Sequence, residues 1–160
     1  GDDYMETMLR LISARSSIVI ELDDASEILS KAKEMFVWID SDFIGYGADE
    51  AGSATKETPV AVYEMVENAT FAQMFGSLNS DLDKLCLTQD QIKNFVKKYR
   101  NWLRTDGYGT FFLFKSKNNF FVAYVYLFSG AGLEVCVYRF GRDFVWRVEC
   151  RHRIVVPQLA

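Results

Sequence analysis

Apolar positions along this chain change their period part-way. Ile92, Phe95, Val96, Tyr99, Trp102 and Leu103 recur at helical spacing, with Lys93, Lys97, Lys98 and Arg100 on the other side. Thr88 and Gln91 form a T-x-x-Q capping box ahead of that stripe, so the spacing predicts a helix over 88–103. Thr105-Asp106-Gly107 ends it with turn chemistry. From Gly109 the period is two, which predicts strands over 109–115, 119–128, 133–140 and 144–156. The links are Ser116-Lys117-Asn118, Ser129 to Gly132, and Gly141 to Asp143. Links that short join antiparallel neighbours, so the pattern predicts a β-meander. In 119–128 both faces are apolar, which predicts an inner strand covered on each side. In 144–156, Phe144, Trp146, Val148, Cys150, His152, Ile154 and Val156 are expected to face one way. Arg147, Glu149, Arg151 and Arg153 are expected to face the other.

The first half is less regular. Tyr4, Met5, Met8, Leu9, Leu11 and Ile12 predict a helix over 4–14. Ile18, Val19, Ile20 and Leu22 give a short strand signal. Asp24-x-x-Glu27, followed by Ile28, Leu29, Ala32, Met35 and Phe36, predicts a second amphipathic helix. Residues 47–58 are small, polar and aperiodic, and are expected to be a flexible loop. Pro59 opens a strand expected over 59–66, a fifth member of the sheet. Thr70 and Gln73 form another capping box, for a short helix ending near Gly76. The expected fold is α+β: an antiparallel β-meander of four to five strands packed against helices. Residues 1–46 form an N-terminal helical segment that either completes the core or stands as a mobile arm, and 59–160 form the α+β domain.

Composition narrows the class. The 160 residues are 49% apolar and 25% charged, which excludes a disordered chain. The longest apolar stretches, near ten residues, are half of what a membrane span needs, so no membrane role is expected. The net charge of −4 hides an asymmetry: residues 1–83 carry a balance of −12 and residues 84–160 a balance of +8. Two halves that neutralise each other, or a basic surface for a polyanion, would each produce that split. Cys86, Cys136 and Cys150 are odd in number and form no CxxC, which fits a reducing, cytoplasmic setting. The chain opens Gly1-Asp2-Asp3 without methionine, so Gly1 has the look of a tag-cleavage scar and a trimmed native start is expected.

Candidate chemistry is sparse. No metal or cofactor motif is present, and none is expected. Cys150 and His152 sit two apart on the predicted strand, about 6.6–6.8 Å along the chain, too far for a direct hydrogen bond. A buried thiol and a core histidine are therefore expected there rather than a nucleophile and its base. Asp23-Asp24 and Asp40-Ser41-Asp42 are expected to serve turns and caps. Arg139, Arg142, Arg147, Arg151 and Arg153 come from two predicted strands and their turn. With Tyr124 and Tyr126 they would place basic and aromatic side chains together, a combination suited to single-stranded nucleic acid or an acidic protein. The candidate binding residues are thus Arg139, Arg147, Arg151, Arg153, Tyr124 and Tyr126.

Four phrases carry a resemblance: T-F-A-Q-M-F-G-S-L at 70–78, L-C-L-T-Q at 85–89, W-L-R-T-D-G-Y-G-T-F-F-L-F-K at 102–115 and R-H-R-I-V-V-P-Q-L at 151–159. Together they resemble a set of small hypothetical bacterial proteins, over about residues 69–160. That resemblance implies no activity, ligand or catalytic residue. The function expected from the residues is a non-catalytic module binding a protein, a second copy of itself or a polyanion. The alternative is an enzyme whose site is assembled from distant residues.

Overall fold

In the computed structural model, which describes residues 8–159 apart from Arg15 and Ser129, both capping boxes form as their spacing predicts. Thr88 Oγ1 accepts from the Gln91 amide at 3.0 Å, and Gln91 Oε1 accepts from the Thr88 amide at 2.9 Å. They open helix α3 (Gln89–Lys98), and Thr70 and Gln73 open helix α2 (Phe71–Gly76) in the same way. A one-turn helix, α1 (Asp42–Gly45), precedes both. The α3 stripe continues through a short 3-10 turn at Arg100–Trp102, so Ile92, Phe95, Val96 and Leu103 are buried while Tyr99 and Trp102 are half-buried against the same core.

Three strands confirm the period of two: β5 (Gly109–Ser116), β6 (Asn119–Phe128) and β7 (Gly132–Arg139), paired antiparallel in order. The β5–β6 link is a two-residue turn in which Lys117 and Asn118 both take positive φ, 49° and 67°, which matches the twist of the paired strands. Alternate residues of β6 enter separate cores. Phe121, Ala123 and Val125 join the α3 side, while Val122 joins the α2 side.

The antiparallel meander of four to five strands is corrected by the rest of the sheet. It is mixed and, among the described residues, has eight strands: β1 (Leu9–Leu11), β2 (Val19–Ile20), β3 (Trp38–Ile39), β4 (Thr58–Met65), the three above, and β8 (Arg153–Pro157). The order is β1-β4-β8-β5-β6-β7-β3, with β2 also on β4. Strand β8 lies antiparallel to β4 but parallel to β5, with Phe111 opposite Ile154, and β3 runs parallel to β7. The expected strand 144–156 begins only at Arg153, because a parallel neighbour requires a crossover of about a dozen residues. Residues 140–152 are that crossover. Trp146 exchanges backbone hydrogen bonds with Ala69, a 3-10 turn forms at Val148–Cys150, and Arg151 turns the chain with φ 49°. Extended backbone alternates its side chains whether or not it is paired, so the pattern alone did not reveal the crossing.

The two N-terminal helices are also corrected. Leu9–Leu11 is a strand on the outer edge of β4, while Tyr4 and Met5 lie outside the described residues. Over 24–36 only a 3-10 turn forms, at Leu29–Lys31. Its amides are taken by α3: Gln89 Oε1 accepts from Leu29 at 2.9 Å and Asp90 Oδ2 from Glu27 at 3.3 Å. Asp24 and Asp40 instead close local turns, accepting from Ser26 at 3.1 Å and from Asp42 at 2.9 Å. Ile18, Ile20, Leu29, Phe36 and Phe43 share the α3-side core with the sheet. Residues 47–50 are tied down by Ser116 and Gln89: Ser116 Oγ donates to the Gly47 carbonyl at 2.7 Å, and Gln89 Nε2 donates to Ala48 and Glu50. No helix among the described residues is long and apolar enough to cross a membrane.

Phe95 lies edge-on to Phe112 at 5.6 Å with neither ring exposed. Phe95→Ala is expected to cost about 3–5 kcal/mol, and Trp102→Ala less because its indole is half-buried. Urea unfolding of both variants measures this, and equal losses would place Trp102 as deep as Phe95.

Candidate functional site

Beyond the end of β7 the sheet opens into a cleft of about 660 Å³, lined by Tyr46, Asn119, Phe120, Phe121, Tyr138, Arg139, Phe140, Gly141 and Arg142. The pairing of Phe121 with Arg139 brings the start of β6 beside the end of β7 and sets one wall. Tyr46, just after α1, supplies another part of the lining. The Arg139 guanidinium carbon lies 4.2 Å from the Tyr46 ring centre. That of Arg142 lies 5.0 Å from Tyr138 and 5.1 Å from Phe144. A flat, weakly hydrated cation rests well on an aromatic face, which carries the negative part of the ring quadrupole. Neither arginine has a carboxylate partner among the described residues. The cleft therefore carries two exposed guanidiniums at its rim, Arg139 with Tyr46 on the α3 side of the sheet end and Arg142 with Tyr138 on the α2 side.

Of the residues expected to bind, only Arg139 reaches this cleft. Arg147 is exposed and paired with Glu149 at 3.0 Å. Arg151 is the left-handed residue that ends the 3-10 turn. Arg153, half-buried on β8, donates to the Trp102 carbonyl at 2.9 Å. These three do not form a row, because only Arg153 belongs to a strand. Tyr124 and Tyr126 stack at 5.2 Å on the α2 side of the sheet, opposite the side on which Arg153 meets Trp102. Tyr46, Phe120, Tyr138 and Phe140 were not among the expected site residues. The aromatic run at 36–46 and the turn glycine at 141 carry the only sequence signal for them.

Tyr124 belongs to a second feature, an aromatic cluster under α2. The rings of Phe71, Phe111, Tyr138, Trp146 and His152 meet there at 4.9–6.0 Å. Its centre is His152, 3% exposed, whose Nε2 lies 3.1 Å from the Tyr124 hydroxyl. Burial, with the charge of Arg104 adding to it, pushes the imidazole down to about 4. Burial likewise raises the Tyr124 phenol. Gly109 is required beside this pair, since a Cβ there would run into the Val125 carbonyl and the Tyr124 ring.

His152 faces Tyr124, and the Cys150 carbonyl accepts from Arg104 Nε at 3.3 Å, so the two residues serve separate contacts. Burial pushes the Cys86 thiol up to about 12 and that of Cys136 to about 11, away from the thiolate that nucleophilic chemistry needs. No group of three or more His, Cys, Asp or Glu suited to a metal occurs among the described residues. Comparison with family models, curated proteins and solved structures finds no match to this chain.

The depressed His152 has a consequence for pH. Folding keeps the ring neutral, while the unfolded ring takes a proton near 6.5. Its contribution is complete above pH 6.5 and is lost as pH falls toward 4, up to about 3 kcal/mol. Urea unfolding between pH 7 and pH 4 is expected to show a shallower loss for His152→Gln than for wild type. Equal slopes would mean that His152 does not carry the effect.

Proposed function

We propose that this chain is a non-catalytic binding module whose ligand is a compact anion held in the cleft at the end of β7. The observation that carries this reading is that Arg139 and Arg142, which line one cleft, are held over Tyr46 and Tyr138 from the two faces of the sheet end, with no acid partner for either among the described residues. Charge-assisted hydrogen bonds from guanidinium to carboxylate or phosphate are short and strong, and a partly apolar lining strengthens them. The cleft volume falls within the range of small-molecule sites, about 300–1,000 Å³. A compact anion fits better than a long polyanion, because the neighbouring cations are already engaged. Lys115 pairs with Asp83 at 3.0 Å, Lys117 lies 3.8 Å from Asp49, and Arg147 holds Glu149. A binding role is also supported by the raised thiols and by His152 being committed to the core.

Inorganic phosphate followed by backbone amide NMR tests the reading. Shifts are expected around 119–121 and 138–142. Each of Arg139→Ala and Arg142→Ala should weaken binding about tenfold or more, the loss of one charge-assisted bond. Shifts spread evenly over the surface would refute it.

Exposed apolar side chains favour a second reading, contact with a protein partner at the β3 edge. Val37, Trp38 and Ile44 are 60%, 47% and 69% exposed and lie together beside that edge strand. Contiguous apolar surface of this kind is typical of interaction sites. Light scattering at rising concentration should show association that Ile44→Asp reduces. A wild-type protein that stays monomeric would restrict this reading to a foreign partner.

A further inference from the structure

We propose that the apolar surface at the β3 edge is covered by a second copy of this chain, related by a two-fold axis that crosses the edge near Trp38. This rests on the reading of that edge as a protein contact. Strand β3 is last in the sheet order, and a groove of about 620 Å³ runs beside it, its lining including Lys33, Val37, Trp38, Asp40, Ser41 and Ile44. The strand is two residues long, so a contact here rests on side chains rather than on a ladder of backbone hydrogen bonds. Charge along the groove decides the occupant. Lys33 stands before the exposed Val37 and Trp38, and Asp40 stands after them. Lys33 is exposed and has no acid partner among the described residues. Asp40 Oδ1 accepts from the Asp42 amide at 2.9 Å and Oδ2 from the Val137 amide at 3.2 Å, bonds that fix the carboxylate without neutralising it. Asp42, the first residue of α1, adds a second acid at that end, and neither acid has a cation partner among the described residues. Two surfaces of this order laid antiparallel bring Lys33 of each copy to the acidic end of the other. Laid parallel they would set cation on cation and acid on acid. A two-fold axis across the edge enforces the antiparallel arrangement and makes every contact twice. It also sets the exposed Val37, Trp38 and Ile44 of one copy against the same residues of the other. One surface thus supplies both halves of the contact, whereas a foreign protein would have to bring the complementary order with it.

Sedimentation equilibrium of the whole chain at low salt tests this, with circular dichroism of each variant to check that the fold is kept. A reversible dimer and no larger species is expected, because a two-fold contact closes on itself. Ile44→Asp should weaken the dimer about tenfold or more. Lys33→Glu should weaken it about tenfold as well, since it sets acid against the partner's acidic end. Adding Ser41→Lys, at an exposed side chain that makes no capping bond, should recover most of that loss. A dimer that Ile44→Asp leaves intact is joined elsewhere and would overturn this inference. Growth beyond the dimer, or a dimer indifferent to Lys33→Glu or not recovered by Ser41→Lys, would overturn the two-fold arrangement. A chain that stays monomeric would overturn the second copy, and binding of the apolar dye anilinonaphthalene sulfonate then separates the two readings. Dye binding that Ile44→Asp removes would leave the edge to a foreign partner. Dye that does not bind, or that Ile44→Asp does not remove, would overturn the reading of the edge as well.

Discussion

Strand β8 lies between β4 and β5, and its parallel register on β5 governs the rest of the α2 side of the molecule. A chain leaving β7 at Arg139 cannot reach that slot by a hairpin. It must cross the sheet face, and residues 140–152 do so. The crossing lays Trp146 over Phe111 and Tyr138 and brings His152 against Tyr124. It begins with the turn that sets Arg142 over Tyr138, since the Arg142 amide bonds the Arg139 carbonyl at 3.1 Å. One topological requirement thus produces both the aromatic core and one wall of the cleft. The crossing is held by the half-buried Trp146, which packs on Phe71, Phe111 and Tyr138 and exchanges backbone hydrogen bonds with Ala69.

Burial of His152 belongs to the same constraint. A histidine in water would be partly protonated near pH 6.5, and the enclosing rings of Phe111, Trp146 and Tyr108 offer no charge to balance a proton. The charge that acts on it is that of Arg104, which repels a protonated ring. The ring is therefore neutral in the fold, and its hydrogen bond to Tyr124 satisfies one nitrogen. Position 109 has to be glycine for β5 to approach that pair. Three residues far apart in the chain, Gly109, Tyr124 and His152, fit together only because β8 runs parallel beside β5.

What could be read in advance follows from the range of the interactions involved. Both capping boxes, the α3 stripe and the β5–β6–β7 hairpins depend on neighbours a few residues away, and their residue types announced them. Over 24–36 the Leu29 amide, which a helix would turn back to Ala25, is instead taken by Gln89, sixty residues on, and Glu27 donates to Asp90 rather than closing a capping box. The expected strand at 144–156 failed because alternation records extended backbone but not its partner. Of the residues expected to bind, Arg139 is the one that lines the cleft. The aromatic groups that make its surroundings a cleft are joined by the pairing of β6 with β7 and by the position of α1, neither of which spacing reveals.

The charge asymmetry along the chain finds its account in pairs that link the halves. Glu27 and Glu34 meet Lys93, Glu21 meets Lys98, Asp83 meets Lys115 and Asp49 meets Lys117. Most are exposed, and each is worth at most about 1 kcal/mol, so they explain neutrality better than stability. Their importance lies in what they leave over. An acidic chain has carboxylates to spare, yet Arg139 and Arg142 are given rings instead. Stacking on Tyr46 and Tyr138 orients a guanidinium without neutralising it, whereas a carboxylate would orient it and cancel its charge. Orientation with the charge kept is what the two rings provide. It distinguishes these two from Arg147, whose charge is answered by Glu149, and from Arg153, whose guanidinium is bonded to the Trp102 carbonyl.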